Sequence, residues 1–151
     1  VLLENEASIE AADDEGYTPL HRGSRCGKLE IVKYLVSMKA NIEAKTIAGW
    51  GTDNAGYTPL LLAARYATLD MVKFLVGMKA NLEAKGLEGY TPLLEAAKHA
   101  TLDIVKFLVG MKANIEAKTI AGWGTDNAGY TPLLLAARYA TLDMVKFLVG
   151  M

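Results

Sequence analysis

Two kinds of apolar run alternate along the chain. The first, as in Leu60-Leu-Leu-Ala-Ala-Arg-Tyr66, follows a Thr-Pro pair; the second, Leu69-Asp-Met-Val-Lys-Phe-Leu-Val76, has Asp70 and Lys73 as its only polar residues. Both predict short helices. Thr58 fits the N-cap of the first helix and Pro59 its first position, where a missing N–H costs nothing. Ahead of them, Asp53-Asn-Ala-Gly56 has the composition of a tight turn, with Gly56 able to take a positive φ. Ala63 and Ala64 permit close approach of a neighbour, and Thr68 opens the second helix. That helix is apolar on nearly its whole circumference, which predicts an inner layer. A helix of about nine residues does not survive alone in water, so neighbouring units must cover it.

Self-similarity organises the whole chain. Thr-Pro-Leu starts at Thr18, Thr58, Thr91 and Thr131, at spacings of 40, 33 and 40 residues. The short connection Lys85-Gly-Leu-Glu-Gly-Tyr90 marks the underlying unit as 33 residues, and the excess of seven reads as TIAGWGT, Thr46–Thr52 and Thr119–Thr125, ahead of the turn. The predicted organisation is one array: 1–12 as the end of a preceding repeat, then units 13–45, 46–85, 86–118 and 119–151. Residues 38–78 and 111–151 are identical over 41 positions. Between Tyr57–Lys85 and Tyr90–Lys118 the differences are Leu62/Glu95, Arg65/Lys98, Tyr66/His99, Met71/Ile104 and Leu82/Ile115. Recent tandem duplication and deliberate concatenation both explain such identity.

The pattern G-x-TPL-x-x-AA followed by L-[DE]-x-V-K-x-L resembles the ankyrin repeat over essentially the whole chain. The resemblance implies an all-α solenoid of stacked helix-turn-helix units with β-turn finger loops, and protein partners bound by the turn tips and the exposed side of each first helix. Some positions depart from the family pattern. The histidine after TPL is present only as His21, with Leu61, Leu94 and Leu134 elsewhere. The glycine closing the first helix is kept as Gly27 and replaced by Ala67, Ala100 and Ala140. Lys39, Lys79 and Lys112 stand where the family has glycine after the second helix. Either these residues take a left-handed conformation at roughly 1 kcal/mol each, or Gly77 and Gly110 stop the helix instead. Gly23 and Ser24 replace the Ala-Ala pair in the first unit, which weakens that helix. Val1-Leu-Leu and Ala7–Ala11 align with Tyr34-Leu-Val and Ala40–Ala44, so the chain is expected to open inside a second helix. No polar capping helix follows the last unit, which predicts either a longer array or self-association through the apolar C-terminal end.

Charge narrows the partners. Sixteen Lys and Arg stand against 17 Asp and Glu, interspersed, for a net −1. Nucleic acid is not expected as a partner. No apolar run reaches the roughly 18 residues that span a bilayer, so no membrane is expected either. Cys26 is a lone cysteine, which suits a reducing, intracellular setting, with the cytoplasm favoured. His21 and Cys26 lie five residues apart in one helix and do not share a face. No zinc spacing or phosphate-binding glycine loop occurs, so no cofactor, metal or catalytic residue is assigned and a non-enzymatic protein is expected. Asp13, Asp14 and Glu15 read as a solvated turn tip.

The candidate contact positions are Tyr57, Leu87, Glu88, Tyr90 and Tyr130 at the turns, and Arg65, Tyr66, Lys98, His99, Arg138 and Tyr139 on the first helices. Tyrosine and arginine dominate, the types that carry binding energy at interfaces. The tyrosines before TPL also suit packing between units. Trp50 and Trp123, each between two glycines in an inserted loop, either meet a partner or fold back over Ile47 and Ile120. The expected function is a protein–protein interaction scaffold. Two alternatives stand beside it: a structural or engineered solenoid with no native ligand, and the targeting array of a larger protein.

Overall fold

In the computed structural model, which describes residues 6–47, 53–121 and 126–151, four helix pairs follow one another. They are α1 (Pro19–Arg25) and α2 (Leu29–Ser37), α3 (Pro59–Tyr66) and α4 (Leu69–Gly77), α5 (Pro92–Lys98) and α6 (Leu102–Gly110), and α7 (Pro132–Tyr139) and α8 (Leu142–Val149). No strand occurs among the described residues. Each first helix begins as its sequence predicts. Thr18, Thr58, Thr91 and Thr131 are N-caps whose hydroxyl accepts the N–H of the third helical residue, and a proline follows each. Each cap satisfies one of the backbone donors that a helix start leaves orphaned.

The two rows of helices are not equivalent, and the expected inner layer is the other one. α3 is buried continuously from Pro59 to Ala64, and α5 from Pro92 to Ala97. The second helices bury one side only: α4 hides Met71, Val72, Leu75 and Val76 while Asp70 and Lys73 face solvent. The alanine pairs explain the inversion, since small side chains let first helices approach first helices closely. At Gly23, which stands in for the first alanine in α1, a Cβ would lie 2.9 Å from Val32 Cγ2, so the glycine serves the contact with α2.

The helix ends resolve the glycine departures. Lys39, Lys79 and Lys112 have φ of 69°, 70° and 69°, so the lysines carry the left-handed conformation while Gly77 and Gly110 remain helical. Ala100 is also left-handed, at φ 61°, like Gly27 at 67°. Ala67 and Ala140 instead leave their helices extended, both at φ −109°. As a result α3 and α7 have eight residues where α1 and α5 have seven, and Tyr66 and Tyr139 become their last helical positions.

Neighbouring units are tied along two edges. At the finger tips the N–H of Ile47 donates to the carbonyl of Glu15 (3.0 Å), Leu87 to Ala55 (2.9 Å) and Ile120 to Glu88 (3.0 Å). On the opposite edge the carboxylates of Glu10, Glu43 and Glu83 accept the N–H groups of Asn41, Asn81 and Asn114 at 2.6, 2.7 and 2.8 Å.

The finger ladder corrects the register of the insertion. Thr46 pairs with Tyr57, and Thr119 with Tyr130, as Gly86 pairs with Tyr90 and Asp13 with Tyr17. Thr46 and Ile47 therefore occupy the places of Gly86 and Leu87. Seven extra positions, 48–54, lie inside the turn and not ahead of it from Thr46 to Thr52. The same holds for 121–127. Sequence alignment placed the addition before Asp53 because DNAG looks like a complete turn; backbone pairing shows that only Ala55-Gly56 belongs to the original one.

Candidate functional site: the braced bases of the long loops

Where each long loop returns to the body, its last inserted residue is a buried asparagine. Asn54 donates from Nδ2 to the hydroxyl of Tyr17 in the preceding unit (2.9 Å) and accepts at Oδ1 from Arg65 Nη1 (3.1 Å). The Tyr66 hydroxyl lies 3.4 Å from both amide atoms. Asn127 repeats the arrangement, donating to the Tyr90 hydroxyl (3.2 Å) and accepting from Arg138 Nη1 (3.1 Å) and the Tyr139 hydroxyl (3.3 Å). Across the base, Thr46 Oγ1 donates to the Asn54 carbonyl and accepts the Tyr57 N–H at 2.9 Å, and Thr119 does the same with Asn127 and Tyr130. Because an unpaired buried amide is costly, asparagines whose side-chain oxygen and nitrogen both find partners fix where the loop leaves the body, although Arg65 Nε in the same network stays unpaired.

Arg65, Tyr66, Arg138 and Tyr139 therefore have an internal duty beside any external one. The extra helical residue in α3 and α7 is what turns Tyr66 and Tyr139 toward the asparagines. Each arginine also lies over its tyrosine, with Arg65 5.0 Å and Arg138 5.1 Å from the ring centroid. Tyr66 and Tyr139 keep 41% of their surface exposed.

The short-turn unit is built differently at the same positions. Glu95 stands where the long units have Leu62 and Leu135; it is buried and accepts the hydroxyl proton of Tyr57 from the preceding unit. Its second carboxylate oxygen lies 3.4 Å from His99 Nε2. Burial pushes the Tyr57 phenol far above its ordinary value, and the Glu95 charge adds to the shift. At Arg65, burial works against the charge, but Glu95, Tyr57 and Tyr66 outweigh it and hold the guanidinium above its ordinary value. Glu95 was missing from the sequence-derived candidates. Its signal was the difference Leu62/Glu95, a carboxylate in an otherwise apolar helical stretch.

The remaining candidates divide by exposure. Tyr57 and Tyr90, expected at a contact surface, are 4% and 2% exposed and pack between units, so they leave that surface. Tyr130, Lys98 and Glu88 are half-buried, with Lys98 Nζ 4.8 Å from the Tyr90 ring centroid. Leu87, His99 and Arg138 are exposed. Trp50 and Trp123 lie outside the described residues. His21 is buried: Nδ1 accepts the Thr18 N–H (3.1 Å), and Nε2 faces the carbonyl of Ala44 at the end of its own unit (2.8 Å) and that of Tyr57 in the next (3.0 Å). Its contact with Tyr57 thus crosses the repeat boundary. Cys26 is exposed. Among the described residues no group of three His, Cys, Asp or Glu side chains is placed to hold a metal ion, and no helix is long and apolar enough to cross a membrane.

Residues 1–46 and 47–119 match a family model described as ankyrin repeats (3 copies), and residues 93–149 match one described as ankyrin repeats (many copies). Palmitoyltransferase AKR1 of Saccharomyces cerevisiae is 46% identical over 48 residues, which are 32% of this chain and 6% of that protein. The similarity thus spans only a small part of the relative. Capped helix pairs, laddered finger turns and family models that together reach from residue 1 to residue 149 agree: the chain belongs to the ankyrin repeat family.

Proposed function

We propose that this chain is a non-enzymatic protein–protein interaction scaffold whose contact surface is formed by the two long loops, the finger tips and the exposed ends of the first helices. Ankyrin repeats are generally protein–protein interaction modules. The observation that carries the finer reading is the duplicated bracing of Asn54 and Asn127, a buried polar network that presents two loops from fixed bases. Fixing the base of a loop removes part of the ordering entropy that binding would otherwise cost, which favours affinity. Tyr66, Tyr139, His99 and Leu87 stay accessible. An intracellular location fits this reading.

The test is site-resolved photo-crosslinking in cells. A benzophenone side chain at Trp50, Tyr66 or Trp123 should trap a protein that the same group at Lys73, on the outer row, does not. Equal trapping from both faces would defeat the assignment.

The 41-residue identity, which extends to exposed positions, supports a second reading as a structural or engineered solenoid without a native ligand. Absence of crosslinks from every position favours it. A third reading, the targeting array of a larger protein, draws on the partial match to a much longer relative. A catalytic domain flanking these repeats in the full-length protein would support it.

A further inference from the structure

We propose that the loop bases together take one extended, acidic protein segment in which the same short motif occurs twice in the same direction. This rests on the scaffold reading above and adds the kind of partner. Ile120 and Tyr139 are Ile47 and Tyr66 moved on by 73 positions, within the identical stretches. Both isoleucines are 56% exposed and both tyrosines 41%. In each case the isoleucine follows the threonine that closes the loop base, and the tyrosine hydroxyl reaches the asparagine there. One patch is therefore present twice.

The two patches are related by repetition along the stack. Ile47 donates to Glu15, Leu87 to Ala55 and Ile120 to Glu88, always from one finger to the finger before it, so every step has the same sense. Head-to-tail repetition contains no two-fold axis, and a symmetric dimer, whose copies are reversed, matches only one patch. Two packing steps put the patches about 20 Å apart. Two folded domains of about 30 Å do not fit side by side at that separation. A strand does, since about six residues of extended chain cover it.

Charge sets the chemistry of the motif. The unit ahead of each patch places a cation at the seventh position of its first helix, Arg25 before the first patch and Lys98 before the second. Arg25 lies 4.9 Å from the Tyr66 ring centroid, and Lys98 4.8 Å from that of Tyr90. Among the described residues no carboxylate pairs with either, whereas Asp13 and Glu15 are engaged by Arg22. A carboxylate beside an apolar side chain matches each patch, and complementary charge fixes the register of such a contact.

The test has two steps, both on the full chain. A benzophenone side chain at Ile47 and, separately, at Ile120 is crosslinked in cells, and the attachment points on the trapped protein are sequenced. Both should fall in one segment, at two copies of one motif containing Asp or Glu, about six or more residues apart. Synthetic peptides of that segment then carry one copy or both. The doubled peptide should bind about tenfold tighter or more, and Ile120→Ser should return it to the affinity of the single copy. Attachment at unrelated sequences, or equal affinity of the two peptides for the unsubstituted chain, overturns the proposal while the scaffold reading stands. Motifs without Asp or Glu overturn its acidic part. No trapping from Ile47, Ile120 or Tyr66 overturns the scaffold reading and this proposal with it.

Discussion

The hydroxyl of Tyr57 donates to the buried carboxylate of Glu95, a residue in the next repeat. Tyr17 and Tyr90, at the equivalent position in the short-turn units, turn instead to the asparagines of the long loops that follow them. For these three tyrosines the partner is thus set by the unit that follows, an asparagine where that unit is long and a carboxylate where it is short, while Tyr130 accepts from Arg138 of its own unit.

Removing one member of the Tyr57–Glu95 pair should cost more than removing both. Glu95→Leu installs the residue found in the long units but strands a buried phenol and the neighbouring arginine, at about 1–3 kcal/mol. Tyr57→Phe strands the carboxylate. The double substitution should recover at least about 1 kcal/mol, measured as the coupling in a urea-denaturation cycle; additive losses would mean that the two residues do not interact.

Asn54→Ala and Asn127→Ala should each release a loop base. Each change removes bonds to a tyrosine of the preceding unit and to its own arginine, and a loss of about 1–3 kcal/mol is expected. Limited proteolysis checks the local effect: cleavage in the loop of the substituted unit should accelerate, while the loop of the other unit keeps its rate.

Ala100→Gly and Ala67→Gly should have opposite signs. Ala100 holds φ 61° and glycine relieves it, a gain of up to about 1 kcal/mol. Ala67 leaves α3 extended at φ −109°, where glycine only adds freedom to the unfolded chain and costs about 0.4–1 kcal/mol. Thermal melts of the two variants decide the matter.

Acid should weaken the first repeat boundary through His21. Burial lowers its pKa from 6.5 and outweighs the backbone carbonyls of Ala44 and Tyr57 and the carboxylates of Glu10 and Asp13, which act the other way. The folded chain thus keeps the ring neutral, with Nδ1 accepting from Thr18. Below about pH 6.5 the unfolded chain binds the extra proton first, so this contribution is complete above that pH and is lost as pH falls toward the lowered folded value. His21→Leu, the residue found in the other units, should flatten stability against pH across that window.

If the proposed contact role holds, replacing Trp50 and Trp123 together by Ala should reduce crosslinking from Tyr66 to a partner and leave the melting temperature within about 2 °C. A large fall in melting temperature with undiminished crosslinking would make both tryptophans part of the packing.

Local chemistry made much of the fold legible in advance. Thr-Pro-Leu is a cap, a preset φ and a core residue in immediate succession, and helices too short to stand alone require stacking. The period of TPL located every helix pair and the family it belongs to. The five differences between long and short units were visible as well, but of these only Arg65/Lys98 and Tyr66/His99 read as contact positions, and Leu62/Glu95 read as a trace of duplication alone. Leu62/Glu95, Arg65/Lys98 and Tyr66/His99 acquire their meaning from residues 11 to 38 positions away, on a loop base or in an adjoining unit. No window of sequence displays such a pairing.

By itself the sequence determined the elements, their caps and their repetition, because these depend on residues within a turn or two of one another. Tertiary structure alone decided which row of helices lies inside, where the insertion enters the turn and which tyrosine meets which partner. Each of those depends on how closely two backbones approach and on which buried polar atoms then find one another. The opposed outcomes at Ala100 and Ala67 show the difference most simply. The same residue follows equivalent helices, and it is extended where the preceding tyrosine reaches a loop-base asparagine and left-handed where a histidine stands instead.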